Sequence, residues 1–381
     1  NKIFACHLAF ICSWGQRHSL LFCFIFCCLN LVPLNMTLKN SRRNFIKKSV
    51  LASVASTSSL SFTSGLLNDK IIGHGDFKFK LDKKWSSQDI YKHPVNHCHE
   101  MVIDSRNKLY MTTTHVKNNV LVYNRDGKVL DSYNLNLPGA HGLTLSNEGG
   151  DEFLYVTDPD NNKFCKITSK GKKIFEFEAP KEISEYTSNS MFKPTEITVA
   201  SNGDFYVADG YGLDFIIQYD YSGNYIRHFG GRGNNDNQFD CCHGLTIDTR
   251  DSKNPFLLIT SRSKNEFKRF TMDGKWMETI KMPGCYICRP VIKDGYLAFA
   301  VIVTKDWGSY DGMLAILDNN YKVISMPGGN SPKYIDNLLQ RPAHDNVSFR
   351  NPHDVCIDDD WNVYVPQWNS GKIFPIKLTR V

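Results

Sequence analysis

Several stretches of this 381-residue chain are variations on one pattern. "HEMVIDSRNKLYMTTT" from His99, "HGLTLSNEGGDEFLYVTD" from His141 and "TEITVASNGDFYVADG" from Thr195 align with "HGLTIDTRDSKNPFLLITSR" from His243 and "HDVCIDDDWNVYVPQW" from His353. Each is a short alternating run, a polar turn and a second alternating run. A degenerate member, "RPVIKDGYLAFAVIV", starts near Arg289. After each pair comes another hairpin, as in "NVLVYNRDGKVLDSY" and "FIIQYDYSGNYIRHFG", with Asp-Gly or Ser-Gly where a tight turn needs positive φ. Period-two alternation bounded by turn residues is the mark of β-strands.

Four antiparallel strands therefore recur every 42 to 64 residues, and six such units fit between residues 75 and 381 with hardly any amphipathic helix. This predicts an all-β chain, a six-bladed β-propeller whose four-stranded blades circle a central channel. The last unit offers only "HDVCID", "NVYVPQ" and "GKIFPIKL". "DFKFKLDKK", residues 76–84, can supply its fourth strand, so that N- and C-terminal strands close the ring. The linker "FGGRGNNDNQFDCCHGLTID" resembles the blade junction of NHL repeats. A phosphate cradle at "GGRG" would need a following helix N-terminus, and here a strand follows.

The formal net charge is +6, but its distribution matters more than its size. Residues 1–65 hold seven of the 45 basic residues and no acid, leaving 38 basic against 39 acidic residues in the remainder. The propeller is thus nearly neutral, and nothing electrostatic supports a nucleic-acid partner. Residues 1–35 read either as translated upstream sequence or as a hydrophobic leader, with Met36 the first methionine. Within 36–65, "SRRNFIK" and the small-residue run after it resemble a twin-arginine export signal centred on Arg42 and Arg43. Residues 66–381 are then the propeller, exported to a periplasmic or extracellular location with no membrane span in the mature protein.

Of twelve cysteines, five lie within residues 1–35, and the remaining seven have unrelated spacings. They read as small buried hydrophobes. Cys285-Tyr-Ile-Cys288 is a lone CxxC without a second pair or a thioredoxin-like context, so it reads as buried or bridged cysteines. Adjacent Cys241 and Cys242 point to opposite sides of an extended chain, which leaves His243 as the candidate ligand in "DCCH".

His99, His141, His243 and His353 occupy the same place in four repeats, at the entry to the innermost strand. Ring geometry brings them to one mouth of the channel. Imidazole suits zinc, with iron or copper also open, and three histidines leave a coordination position free. Histidine as a hydrogen-bonding turn residue is the competing reading. The insertion "KDWGSYDG", residues 305–312, is placed either to wall this mouth or to anchor a loop.

Residues 135–381, about two thirds of the chain, resemble peptidyl-α-hydroxyglycine α-amidating lyases. The likeness rests on "LPGAHGLTL", "KPTEITVASNGDFYVADGYGLDFIIQYDYSGNYIRHFG", "NQFDCCHGLTID", "ITSRSKNEFKRF" and "NPHDVCIDDDWNVYV". It implies zinc on His141, His243 and His353, with His99 a candidate fourth ligand. It also implies a catalytic Tyr211, an active-site Arg262, and structural calcium on Asp354 and the carbonyls of Leu143 and Met101. The implied reaction cleaves the N–C bond of a carbinolamide and releases glyoxylate; the expected partner is a small-molecule or peptide-like substrate, and the chain is expected to be a monomer. Two departures stand out. Thr114 occupies the place of a second arginine, with His115 and Lys117 the nearby cationic candidates, and Gly212 stands where a half-cystine would follow the tyrosine. The alternative is a non-catalytic NHL-repeat propeller binding a ligand or protein partner. A calcium lactonase-type propeller fits the histidine-rich mouth poorly.

Overall fold

The computed structural model describes residues 70–371 and 374–381. The leader and the twin-arginine stretch lie outside these residues. Five four-stranded antiparallel sheets follow one another in the chain, spanning Cys98–Tyr133, Leu143–Phe177, Glu196–Gly230, Leu245–Lys281 and Val291–Ser325. These are blades one to five of a six-bladed propeller. In the sixth, Cys356–Ile357, Val363–Val365 and Ile376–Arg380 are joined by Phe77–Asp82 and then by Ile71–His74. The ring closes as the sequence predicts, with Phe79 opposite Arg380 and Leu81 opposite Leu378. The outermost Ile71–His74 strand makes this blade five-stranded, one strand more than expected.

Alternation along the strands acquires a specific meaning here. In blade four, Leu257 and Ile259 pack against blade three, while Phe256 and Leu258 pack against blade five. Successive side chains point to opposite faces, and both faces meet a neighbour. Six apolar clusters result, one at each blade interface. Cys98, Cys165, Cys242, Cys285, Cys288 and Cys356 are buried among them as free thiols, and Cys241 is a free thiol of intermediate exposure. The CxxC is therefore buried and not bridged. Among the described residues, no helix is long and apolar enough to cross a membrane.

Candidate metal centre

All four repeat-position histidines are buried and converge at the channel mouth. The His99 ring centroid lies 4.4 Å from that of His141 and 4.7 Å from that of His353. His141 and His243 are 4.8 Å apart by centroid, and His243 and His353 are 5.0 Å apart. Two glycines permit this crowding. A Cβ on Gly142 would stand 2.4 Å from the Thr195 carbonyl oxygen, and one on Gly244 would stand 2.5 Å from that of Cys288. Only glycine lets the adjacent blade's backbone approach so closely.

Second contacts orient the rings. His141 Nδ1 lies 2.9 Å from the Thr195 carbonyl and His353 Nδ1 lies 3.0 Å from that of His99, so both carry the proton on Nδ1 and turn Nε2 inward. Nε2 of His243 is 3.1 Å from Nε2 of His141. Two nitrogens bound tetrahedrally at about 2.0–2.1 Å from one zinc ion would be about 3.3 Å apart. Nδ1 of His99 and of His243 are buried without hydrogen-bond partners among the described residues. Burial, reinforced by the Arg262 charge, holds His141 down to about 3, and burial pushes the other three well below the ordinary histidine range. All four are thus neutral at pH 7, the form in which imidazole binds a metal. Two overlapping groups have ligand atoms within 4.8 Å of one another, His99–His141–His353 and His243–Cys288–His353. These residues fit a metal ion.

Tyr211 and Arg262 stand beside this cluster, where the sequence places them. Tyr211 is 39% exposed, because its ring walls the mouth, yet its hydroxyl reaches inward to His141 Nε2 at 3.2 Å. Arg262 Nη1 donates to that hydroxyl at 3.3 Å. Burial pushes the phenol up to about 12, against the pull of the Arg262 charge. Asp209 fastens the Tyr211 loop by accepting from Lys193 N, Leu213 N and Tyr186 Oη, each at 2.6 Å. A Cβ at residue 212 would lie 2.1 Å from Asp209 Oδ1, so glycine is required where the resemblance suggested a half-cystine.

Cys241 serves this site through its backbone. At φ 61° it turns its carbonyl to accept from both His243 N (2.8 Å) and Arg262 N (2.9 Å). Arg262 is fully buried, and its remaining contacts are the Ile287 carbonyl and the Cys288 sulfur, so among the described residues no carboxylate pairs with it. Trp307 covers its guanidinium at 5.7 Å and meets Tyr286 and Trp368 edge-on, so the 305–312 insertion does wall the mouth. His97, packed on Trp368 at 5.6 Å, completes that wall. The repeat alignment missed His97, which precedes the aligned text, and Trp368, which ends it in blade six where no other repeat has a tryptophan.

The groups expected to hold calcium meet a different arrangement. Asp354 and the carbonyls of Leu143 and Met101 do converge, but the guanidinium of Arg289 stands among them. It contacts Asp354 Oδ2 at 2.6 Å, the Leu143 carbonyl at 2.9 Å and the Met101 carbonyl at 3.0 Å. Glu100 and Glu196 lie 3.7 and 3.8 Å from its Nε. The positive charge expected from an ion is therefore supplied by a side chain. Three buried carboxyls share this one cation. Burial and the neighbouring Glu196 raise Glu100 well above the carboxylate range, which lowers the negative charge to be balanced. On the far side of Arg289 a cavity of about 450 Å³, lined by Thr144, Thr198 and Thr246, opens along the channel.

Two outcomes follow from these buried groups. Arg289→Leu, which leaves the carboxyls without their cation, is expected to cost about 3–5 kcal/mol in chemical denaturation, and an unchanged midpoint would contradict the arrangement. The second concerns pH in the metal-stripped protein. Histidines held neutral when folded bind protons only on unfolding, so stability is complete above about pH 6.5 and falls as pH drops toward 3. His141→Gln should flatten this dependence by up to about 1.4 kcal/mol per pH unit, whereas an identical slope would place the charge change elsewhere.

No protein-family model matches the chain. A probable peptidyl-α-hydroxyglycine α-amidating lyase of Caenorhabditis elegans is 30% identical over 131 residues, covering 34% of this chain and 37% of that protein. NHL repeat-containing protein 3 of Mus musculus is 24% identical over 217 residues, 52% of this chain and 58% of that one. Peptidyl-glycine α-amidating monooxygenase A of Xenopus laevis is 27% identical over 241 residues, 61% of this chain and 24% of that one. The chain thus spans less than two thirds of each of these relatives. Among solved structures, a streptogramin B lyase superposes with a TM-score of 0.53 at 18% identity, covering 79% of this chain and 97% of that chain. A gluconolactonase from Xanthomonas campestris gives 0.54 at 12%, covering 80% and 90%. Both share the propeller fold. The chain is a six-bladed β-propeller similar in sequence to the peptidyl-α-hydroxyglycine α-amidating lyases and to NHL repeat proteins.

Proposed function

We propose that this propeller is a metal-dependent lyase, most like a peptidyl-α-hydroxyglycine α-amidating lyase, with zinc as the first choice of metal. The observation that carries the reading is Arg262, a fully buried guanidinium without a carboxylate partner among the described residues, 3.3 Å from the Tyr211 hydroxyl beside four neutral histidines. A buried cation is costly unless something anionic pairs with it. A substrate carboxylate would do so, and a guanidinium can bind it in bidentate fashion.

The histidines His141, His243 and His353, with His99 beside them, would hold the ion. The ion supplies Lewis acidity that lowers the pKa of the substrate hydroxyl. Arg262 orients the substrate through its carboxylate, and Tyr211 takes the α-hydroxyl proton. The new C=O of glyoxylate forms as the C–N bond breaks, and the electron pair and a proton go to the departing amide nitrogen. Tyr211 needs positive charge nearby for this task, since its phenol otherwise sits at about 12. Trp307 and Trp368 limit water at the mouth. Calcium has no role in this reading, because Arg289 provides the axial cation. Delivery through the twin-arginine route, resting on Arg42 and Arg43, belongs to the same proposal.

A second reading, the non-catalytic NHL propeller, is favoured by Thr114. It exchanges hydrogen bonds with the backbone of His97 at 3.1 and 3.3 Å and offers no guanidinium on the blade-one side of the mouth. Release of glyoxylate from α-hydroxyglycyl peptides separates the two readings. The metal-loaded protein is expected to release it, and Tyr211→Phe to lose about 10²–10⁴-fold in kcat. Arg262→Gln should lower kcat/KM most for substrates with a free carboxylate. No release from metal-loaded protein, or full activity in Tyr211→Phe, would count against the lyase.

A further inference from the structure

The strands lining the channel begin on equivalent residues, and backbone register identifies them. His141 N donates to the Thr157 carbonyl, Thr195 N to Ala208 and His353 N to Pro366, at 2.8 to 3.0 Å. In blade five the same bond runs from Cys288 N to the Ala300 carbonyl at 3.0 Å, with Val291 opposite Ala298 fixing the register. Cys288 is therefore the blade-five counterpart of the histidines. The ring reads His99, His141, Thr195, His243, Cys288, His353. The next residue in each strand confirms the register, since Arg289 then falls in the ring of Glu100, Glu196 and Asp354 that it contacts.

The sulfur is placed to bind what the histidines bind. Ligand atoms of Cys288, His243 and His353 lie within 4.8 Å of one another, and His353 also belongs with His99 and His141. His353 has only Nε2 free, because its Nδ1 is engaged with the His99 carbonyl, so both groups describe the surroundings of a single ion. Arg262 Nη2 stands 3.7 Å from Sγ, but burial still pushes the free thiol up to about 12, so loss of its proton is coupled to binding of an ion. Cys285 does not share this position, since its sulfur belongs to neither group of converging ligand atoms.

We propose that Cys288 is a thiolate ligand of the metal held by the histidine ring, making a mixed nitrogen–sulfur centre. This rests on the metal-dependent reading above. On binding, the Cys288 S–H proton passes to solvent as the metal–sulfur bond forms. One thiolate offsets part of the ion's charge and shifts the site's preference toward zinc and copper(I) and away from harder ions.

Cobalt(II) loading of the metal-stripped full chain tests this without reference to activity. Wild type is expected to show visible imidazole–cobalt bands together with a near-ultraviolet thiolate-to-cobalt charge-transfer band. Cys288→Ser should lose the near-ultraviolet band and keep the visible ones, while Cys241→Ser and Cys285→Ser keep both. Visible bands alone in wild type, a reading that needs no variant to fold, would overturn the thiolate and leave the metal reading standing. A charge-transfer band that survives in folded Cys288→Ser would assign the sulfur elsewhere. Absence of all cobalt bands would overturn the metal reading and the thiolate with it.

Discussion

The guanidinium of Arg289 is the interaction on which the arrangement of the channel depends. From blade five it reaches Met101 and Glu100 in blade one, Leu143 in blade two, Glu196 in blade three and Asp354 in blade six. One planar cation thereby ties together the inner strands of most of the ring. Propeller blades meet mainly through apolar side chains, and such contacts specify spacing poorly at the axis. A bidentate, largely buried ion pair specifies it well, provided that every charge is matched. Glu100, Glu196, Arg289 and Asp354 each follow directly after a member of the ring that carries the histidines, and Met101 and Leu143 come within two residues of one, so fixing one layer fixes the next.

That second layer has opposite electrostatic character. The axial layer holds three carboxyls around a guanidinium, whereas the mouth holds four neutral imidazoles, a phenol and a guanidinium with no counter-anion among the described residues. Burial keeps the imidazoles unprotonated and the phenol protonated. The mouth is therefore short of negative charge, which suits the ion and the anionic group that the proposed function places there. The aromatic rings of Tyr211, Trp307 and Trp368 line this mouth, and the histidines below them are buried, where each electrostatic contact is stronger than in water.

Much of this was legible in the sequence because repetition turns local pattern into position. Alternating runs and turn residues identified the blades, and Phe77–Asp82 was recognisable as the missing strand of the sixth. Aligning the repeats placed four histidines in one ring, a convergence that spacing along the chain hides. The blade-five repeat was too degenerate for that method. Its recognisable text starts at Arg289, one residue beyond Cys288, so the cysteine was read as half of a CxxC and the arginine had no assigned partner. The groups expected to hold calcium do converge, but nothing in "HDVCID" or "HGLTL" reveals that an arginine from another blade enters between them. His97 and Trp368 belong to loops, whose placement follows from tertiary packing and not from period.

The central claim is that the histidine ring holds a metal ion, and elemental analysis of the purified full chain tests it most directly. His353 is the decisive position, since it belongs to both groups of candidate ligands. The account predicts about one metal ion per chain in wild type, as a catalytic site with protein ligands requires, and its loss in folded His353→Ala. Wild-type protein without stoichiometric metal after metal-replete expression would contradict the account, as would full occupancy in the His353→Ala variant.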